Sequence, residues 1–220
     1  REYGEGRDDW AVHVALAVDG VATVGAVALP GLGLTLTSGA PLPLQPANQP
    51  LKMLVSRTRP AAEAVFVAER IGADLLAMGS AGAKAMAVVR GEADIYLHTG
   101  GQYEWDNCAP VAVAQAAGLH VSRVDGSPIR YNNADTYLPD LLICRMELAE
   151  EVLRLGHKQR GRESRIASKK EAVADMLRLD DKTFAKLARR LPESYWIAES
   201  VEVIAANLIH IQKAGDAPLH

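Results

Sequence analysis

Three short stretches of this chain carry residue types that could handle a phosphate or a metal ion. Gly79-Ser80-Ala81-Gly82-Ala83-Lys84 puts two glycines, a hydroxyl and a cation within six residues. At a strand-to-helix junction such glycines let backbone N–H groups approach an anion, and Ser80 and Lys84 would add a hydroxyl and a positive charge. Glycine-rich strand–helix turns are also plain packing devices, so this stretch by itself has two readings. In Glu104-Trp105-Asp106-Asn107, Asp106 stands near the start of an apolar-patterned helix. There it can cap the helix, which stabilises by roughly 0.5–2 kcal/mol, or offer a hard oxygen to Mg²⁺. One carboxylate can do both. His98 lies beside Thr99-Gly100-Gly101 at the end of a β-rich run, where a surface or hydrogen-bonded role competes with contact to a ligand. His13 sits in another β-rich run, and no Ser–His–Asp arrangement stands out.

The elements that must hold these residues can be read from periodicity. Trp10 to Ala17 and Val21 to Leu29 are β-rich runs joined around Asp19-Gly20, a strong hairpin signal, and Leu32 to Thr37 would add a third strand. Residues 40–50 contain Pro41, Pro43, Pro46 and Pro50 and read as a linker. From Leu51 the pattern alternates. Strands are expected at Leu51–Ser56, Asp74–Met78, Ala93–His98, Val121–Val124 and Leu141–Arg145. Helices are expected at Ala61–Ile71, closed by Gly72, at Ala83–Val89, at Asp106–Ala117 and at Glu147–Leu155. Alternating strands and helices predict a layered α/β domain. Beyond it, Gly156 to Arg162 reads as a polar, basic, mobile connection, followed by three helices at Ser164–Leu177, Asp181–Arg190 and Glu199–Lys213.

Composition narrows the function classes. The chain has 220 residues, 49% hydrophobic and 23% charged, which is ordinary for a globular protein. No run of about 18 apolar residues predicts a membrane span. Cys108 and Cys144 are isolated, which argues against a zinc site or a disulfide framework and points to reduced thiols and a cytoplasmic location. The opening Arg1-Glu2-Tyr3-Gly4-Glu5-Gly6 is no signal peptide. With no initiator Met, the chain is expected to be processed, trimmed or a fragment. Residues 1–155 carry a net charge of −6 and residues 156–220 one of +3, together the −3 of the whole chain. This asymmetry predicts two segments of different origin or role.

Taken in order, Gly79-Ser80-Ala81-Gly82-Ala83-Lys84, then Gly91-Glu92-Ala93-Asp94-Ile95-Tyr96, then Glu104-Trp105-Asp106 resemble the inositol monophosphatase superfamily. Gly118-Leu119-His120, Asp125 to Asn132 and Leu138 to Arg145 extend the match over about residues 1–150. They look most like its CysQ-type 3′(2′),5′-bisphosphate nucleotidases. The resemblance implies a Mg²⁺-dependent phosphomonoesterase whose metals activate water and neutralise phosphate charge. The implied substrate is a small phosphomonoester such as adenosine 3′,5′-bisphosphate, or an inositol phosphate in the alternative reading. It further implies Asp106 as a metal ligand, and Gly79, Ser80, Lys84 and His98 as residues lining the substrate site. The superfamily's other metal ligands, an upstream Glu and an Asp-Pro-x-Asp-Gly-Thr motif, are not in this chain. A Mg²⁺ held by Asp106 alone would stay close to fully hydrated, so the chain as written is expected not to turn over substrate.

The last third is similar to a helical, non-catalytic stretch of bacterial PII uridylyltransferases, on Ile166 to Val173, Leu191 to Glu199 and Ala206-Asn207-Leu208. Lys158, Arg160, Arg162, Arg165, Lys169 and Lys170 form a basic run without interleaved aromatics. It reads as a solvated helix start and not as a nucleic-acid surface. A non-catalytic regulatory or fusion module is the alternative for the chain as a whole. The expectation is therefore a partial layered α/β sandwich of the sugar-phosphatase type with an all-α C-terminal segment. Its parts would be an antiparallel β remnant over 1–45, an α/β domain over 46–155 and a helical appendage over 156–220. Strands 10–37 would then present an unpaired edge, which invites association into homo-oligomers.

Overall fold

The computed structural model describes residues 3–214. Cα proximity divides the chain into two compact units, one up to His157 and one from Lys158 onwards.

The first unit starts with a three-stranded antiparallel sheet of β1 (Val12–Val18), β2 (Val21–Leu29) and β3 (Leu34–Thr37). Asp19 and Gly20 both take positive φ, 51° and 77°, as a two-residue hairpin turn of this hand requires. A short 3₁₀ turn at Pro30–Leu32 separates β2 from β3. The proline-rich residues 41–48 carry no regular structure, because each proline removes a donor and fixes φ.

The second sheet has five strands in the order β5-β4-β6-β10-β8. They are β4 (Lys52–Ser56), β5 (Asp74–Met78), β6 (Ile95–His98), β8 (His120–Ser122) and β10 (Leu141–Cys144). β4 runs parallel to β5 and β6, and β10 is antiparallel to β6 and β8. A two-residue pairing of β7 (Gln102–Tyr103) with β9 (Tyr137–Leu138) lies beside it; the sequence reading missed it because it is too short to show a period. Helices α1 (Ala62–Ile71), α2 (Ala81–Val89) and α3 (Glu104–Ala116) connect the strands. Gly72 closes α1 in the left-handed conformation at φ 68°.

The period-2 pattern sorts the second sheet's side chains into two cores. Leu54, Tyr96, Leu141 and Ile143 face α2 and α3, which pack on their other side against Val27, Leu29 and Leu36 of the first sheet. Met53, Val55, Ile95, Leu97, Leu142 and Cys144 face α1 and the start of α4 (Ala149–Leu177), through Val67, Val152 and Leu155. The order is therefore sheet, helices, sheet, helices. Gly25 is required here, since a Cβ would lie 2.5 Å from Ala109 O and 2.9 Å from the Ala112 Cβ.

Residues 156–162 differ from expectation. Helix α4 runs without a break from Ala149 to Leu177, so the mobile connection and the separate helices on either side of it are one element. Buried Val152, Leu155, Gln159, Ile166 and Val173 keep helical spacing straight through Gly156 and Gly161. Two glycines cost about 1 kcal/mol each relative to Ala, less than such a stripe contributes.

The second unit adds α5 (Asp181–Ala188), α6 (Glu193–Ala198) and α7 (Val201–Ala214). Its core is Val173, Trp196, Ile204, Leu208 and Ile211. The six-residue α6 escaped the sequence reading because it spans under two turns. Much of the basic run is used internally. Lys169 Nζ donates to Ile197 O at 3.0 Å and to Glu199 O at 2.8 Å. Lys170 Nζ lies 5.4 Å from the Trp196 ring centroid, and Arg162 pairs with Glu193 at 3.1 Å.

Candidate substrate site

The parallel strands β4 and β5 end side by side, at Ser56-Arg57 and Met78-Gly79. In α/β sheets this carboxyl edge is where ligands gather. Here it opens a cavity of about 100 Å³ lined by Arg7, Ser56, Arg57, Gly79, Ser80 and Lys84, together with Glu5 and Thr58. Three of the residues expected from sequence, Gly79, Ser80 and Lys84, meet in this cavity.

The turn that forms its floor is held from two sides. Gly79 N–H donates to Asp9 Oδ2 at 2.7 Å, and the same carboxylate pairs with the Arg57 guanidinium. Burial raises the pKa of Asp9, but the Gly79 N–H and Arg57 more than offset it and hold the carboxyl below its usual range. From the other side Lys84 turns its ammonium inward. Its Nζ donates to Ser80 O at 3.0 Å, Gly79 O at 3.3 Å and Met78 O at 3.5 Å, and the side chain is 5% exposed. Between these anchors Ser80 takes φ 45°, which non-glycine residues adopt only when the surroundings impose it. The Ser80 hydroxyl also caps α2 by accepting the Ala83 N–H. Gly82 has a packing reason of its own: a Cβ there would overlap the His13 imidazole.

His98 and Asp106 do not line this cavity. They lie at the β6–α3 connection. His98 Nε2 meets Gly101 O at 3.1 Å. Burial pushes the His98 pKa down, the Gly101 carbonyl opposes this, and the charges of Lys84 and Arg59 lower it further. Asp106 Oδ2 accepts the Tyr103 N–H at 2.8 Å, so its capping role is realised as half of a capping box. Tyr96 connects the two places. Its ring centroid is 5.3 Å from Lys84 Nζ, and its hydroxyl feels the charge of Asp106. Behind them runs a buried polar chain. Gln102 Nε2 donates to Tyr96 Oη at 2.8 Å, Asn107 Nδ2 to Gln102 Oε1 at 2.9 Å, and Tyr131 Oη to Asn107 Oδ1 at 2.9 Å.

Other motif residues are structural. Asp94, 1% exposed, accepts the N–H groups of Asn48 and Lys52 at 3.0 and 2.8 Å, which ties the proline-rich segment to β4. Glu104 accepts the N–H groups of Asn132 and Asn133 at 2.8 and 2.9 Å. Arg57 and Asp9 are the site residues that sequence reasoning passed over. The available signal was topological: Arg57 immediately follows a strand paired with the one that ends at Met78, just before Gly79.

The model of the inositol monophosphatase family matches residues 1–160. Over 161 residues the chain is 50% identical to a 3′-phosphoadenosine 5′-phosphate phosphatase of Mycobacterium bovis, covering 67% of this chain and 59% of that protein. The chain thus spans less than two thirds of the length of this relative. The crystal structure of CysQ from Bacteroides thetaiotaomicron, described as a bacterial member of the inositol monophosphatase family, superposes with a TM-score of 0.55 at 22% identity. That match covers 66% of this chain and 65% of that one. Separately, 66 residues are 50% identical to a bifunctional uridylyltransferase/uridylyl-removing enzyme of Novosphingobium aromaticivorans, which is 30% of this chain and 7% of that protein. The layered fold and the family match over residues 1–160 agree, and the chain belongs to the inositol monophosphatase family.

Proposed function

We propose that this chain binds a small phosphomonoester of the adenosine 3′,5′-bisphosphate type at the β5–α2 turn, as the phosphate-recognising part of a phosphomonoesterase. The observation that carries this reading is the cavity where Arg7, Arg57 and the Gly79-Ser80 turn face one another. Arg57 presents a fork suited to phosphate oxygens, Ser80 a hydroxyl, and the start of α2 its N-terminal dipole. Lys84 acts by fixing the turn. His98 and Asp106, which the resemblance implies for substrate and metal, lie outside this cavity at the β6–α3 connection. The 50% identity to a protein named for 3′-phosphoadenosine 5′-phosphate supports the nucleotide over an inositol phosphate.

Mg²⁺ is the cation the resemblance implies, with Asp106 as its ligand. Among the described residues no three His, Cys, Asp or Glu side chains are grouped to hold a metal ion, and one Asp106 oxygen is committed to the Tyr103 N–H. This donor set does not fit a resident Mg²⁺ centre, and the 220 residues alone supply recognition without turnover. Residues 158–220 are a non-catalytic helical appendage, a role supported by their separate core. No described helix is long and apolar enough to cross a membrane.

Isothermal titration with adenosine 3′,5′-bisphosphate tests the site. Binding is expected, and Arg57→Ala should weaken it about tenfold, the scale of one lost charge-assisted hydrogen bond. Absent binding, or binding indifferent to Arg57, overturns the reading. Phosphate release with Mg²⁺ present should stay at background. Robust release would show that the described donor set suffices.

A further inference from the structure

The helical unit has a groove of its own between α5 and α7, with a volume of about 870 Å³. Lys182, Lys186, Arg189 and Arg190 line it, and among the described residues no Asp or Glu does. Thr183 of α5 and Gln212 of α7 add polar groups. Positions 182, 186 and 189 are spaced i, i+4 and i+7, so three of the cations form a row along one face of α5. At 1.5 Å per residue that row is about 10 Å long. Residues 156–220 carry a net charge of +3, and without these four side chains it would be −1. The positive surplus of the segment is therefore gathered in one groove. Helix electrostatics do not account for the row. Lys186, Arg189 and Arg190 stand at the C-terminal end of α5, where the macrodipole favours cations, but Lys182 stands in the first turn, where it opposes them. Like charges one turn apart also repel.

We infer that this groove binds a small polyanion in which several phosphates are linked in a short chain. Charge complementarity selects the class: a lone phosphate would engage one end of the row, whereas a chain of phosphates spreads its charge along it. The guanidinium forks of Arg189 and Arg190 suit pairs of phosphate oxygens, and the lysines act as point charges. The volume lies within the range of about 300–1,000 Å³ usual for small-molecule sites. A single-stranded nucleic acid is disfavoured because no aromatic side chain lines the groove to stack a base. Lys186 and Arg190 also have interactions within the chain, so the decisive substitutions are placed at Lys182 and Arg189, both exposed. The groove shares no residue with the cavity at Gly79-Ser80, and the inference stands apart from the phosphomonoester reading.

Isothermal titration of the 220-residue chain with sodium tripolyphosphate at low ionic strength tests this. Binding is expected, weakening roughly tenfold as NaCl rises from about 50 to 200 mM, because the contacts are between exposed charges. Lys182→Glu together with Arg189→Glu should weaken it at least tenfold with circular dichroism unchanged. The same two reversals at Lys158 and Arg165, exposed cations of α4 outside the groove, should change it less than twofold, which separates a built site from net charge. Adenosine triphosphate, titrated alongside, distinguishes the sources of the chain: binding tighter than tripolyphosphate assigns a nucleoside-borne chain, and weaker binding a free one. No binding at low salt, equal losses from the two pairs of reversals, or tighter binding of a single-stranded RNA oligomer than of tripolyphosphate overturns the inference.

Discussion

Lys84 shows how a residue's type can suggest one task and its surroundings assign another. A lysine in a glycine-serine turn invites the idea of phosphate contact, yet its ammonium donates to three backbone carbonyls and is almost fully buried. Lys84→Met keeps the stem and removes the donor, so those carbonyls lose their partner. It should destabilise the chain by about 2–3 kcal/mol in urea titration. His98 makes a prediction about pH. Its folded pKa lies below the ordinary histidine value of 6.5, chiefly through burial, so the unfolded chain takes up the proton first. Stability from this group is present above about pH 6.5 and declines as pH falls toward the folded value. Stability curves between pH 8 and 5 should show this decline, and His98→Asn should flatten part of it. Asp106 realises its capping role through one oxygen, and among the described residues no other acid groups with it to hold a metal ion.

At the scale of elements, most strands and helices of the first unit follow from period and punctuation. Asp19-Gly20, Gly72 and the prolines of 40–50 each act as their local stereochemistry requires. The failures are instructive. Gly156 and Gly161 in a polar run suggested a break, but helix interiors tolerate glycine when a buried stripe continues on both sides. Since nothing lies within 4 Å of a Cβ built at Gly161, Gly161→Ala should raise the stability of α4 by about 1 kcal/mol, seen as a higher melting temperature. The opposite sign would mean that the helix is held open at that point for another reason. The turn before α2 could be recognised as a turn from Gly79-Ser80. Its clamp by Asp9 could not, because the two are 70 residues apart and no local pattern links them.

At the scale of the whole molecule, the two units carry separate hydrophobic cores. Leu208→Ala, at a fully buried position of the helical unit, should cost that unit about 2–5 kcal/mol. Fluorescence of Trp196 in that core should report the loss, while near-ultraviolet signals from Trp10 and Trp105 keep their transition. Coincident shifts of all three would show that the cores unfold as one. The sequence by itself determined the alternation of strands and helices, the hairpin, the family resemblance and the change of character near residue 156, because each is written in neighbouring residues or in short ordered motifs. Only the tertiary structure decided that Arg57 and Asp9 join the Gly79-Ser80 turn, that Lys84 faces inward, that α4 is continuous and that the cations of α5 meet Gln212 of α7 in one groove. Those outcomes depend on which distant segments become neighbours, and strand order, not local spacing, sets that.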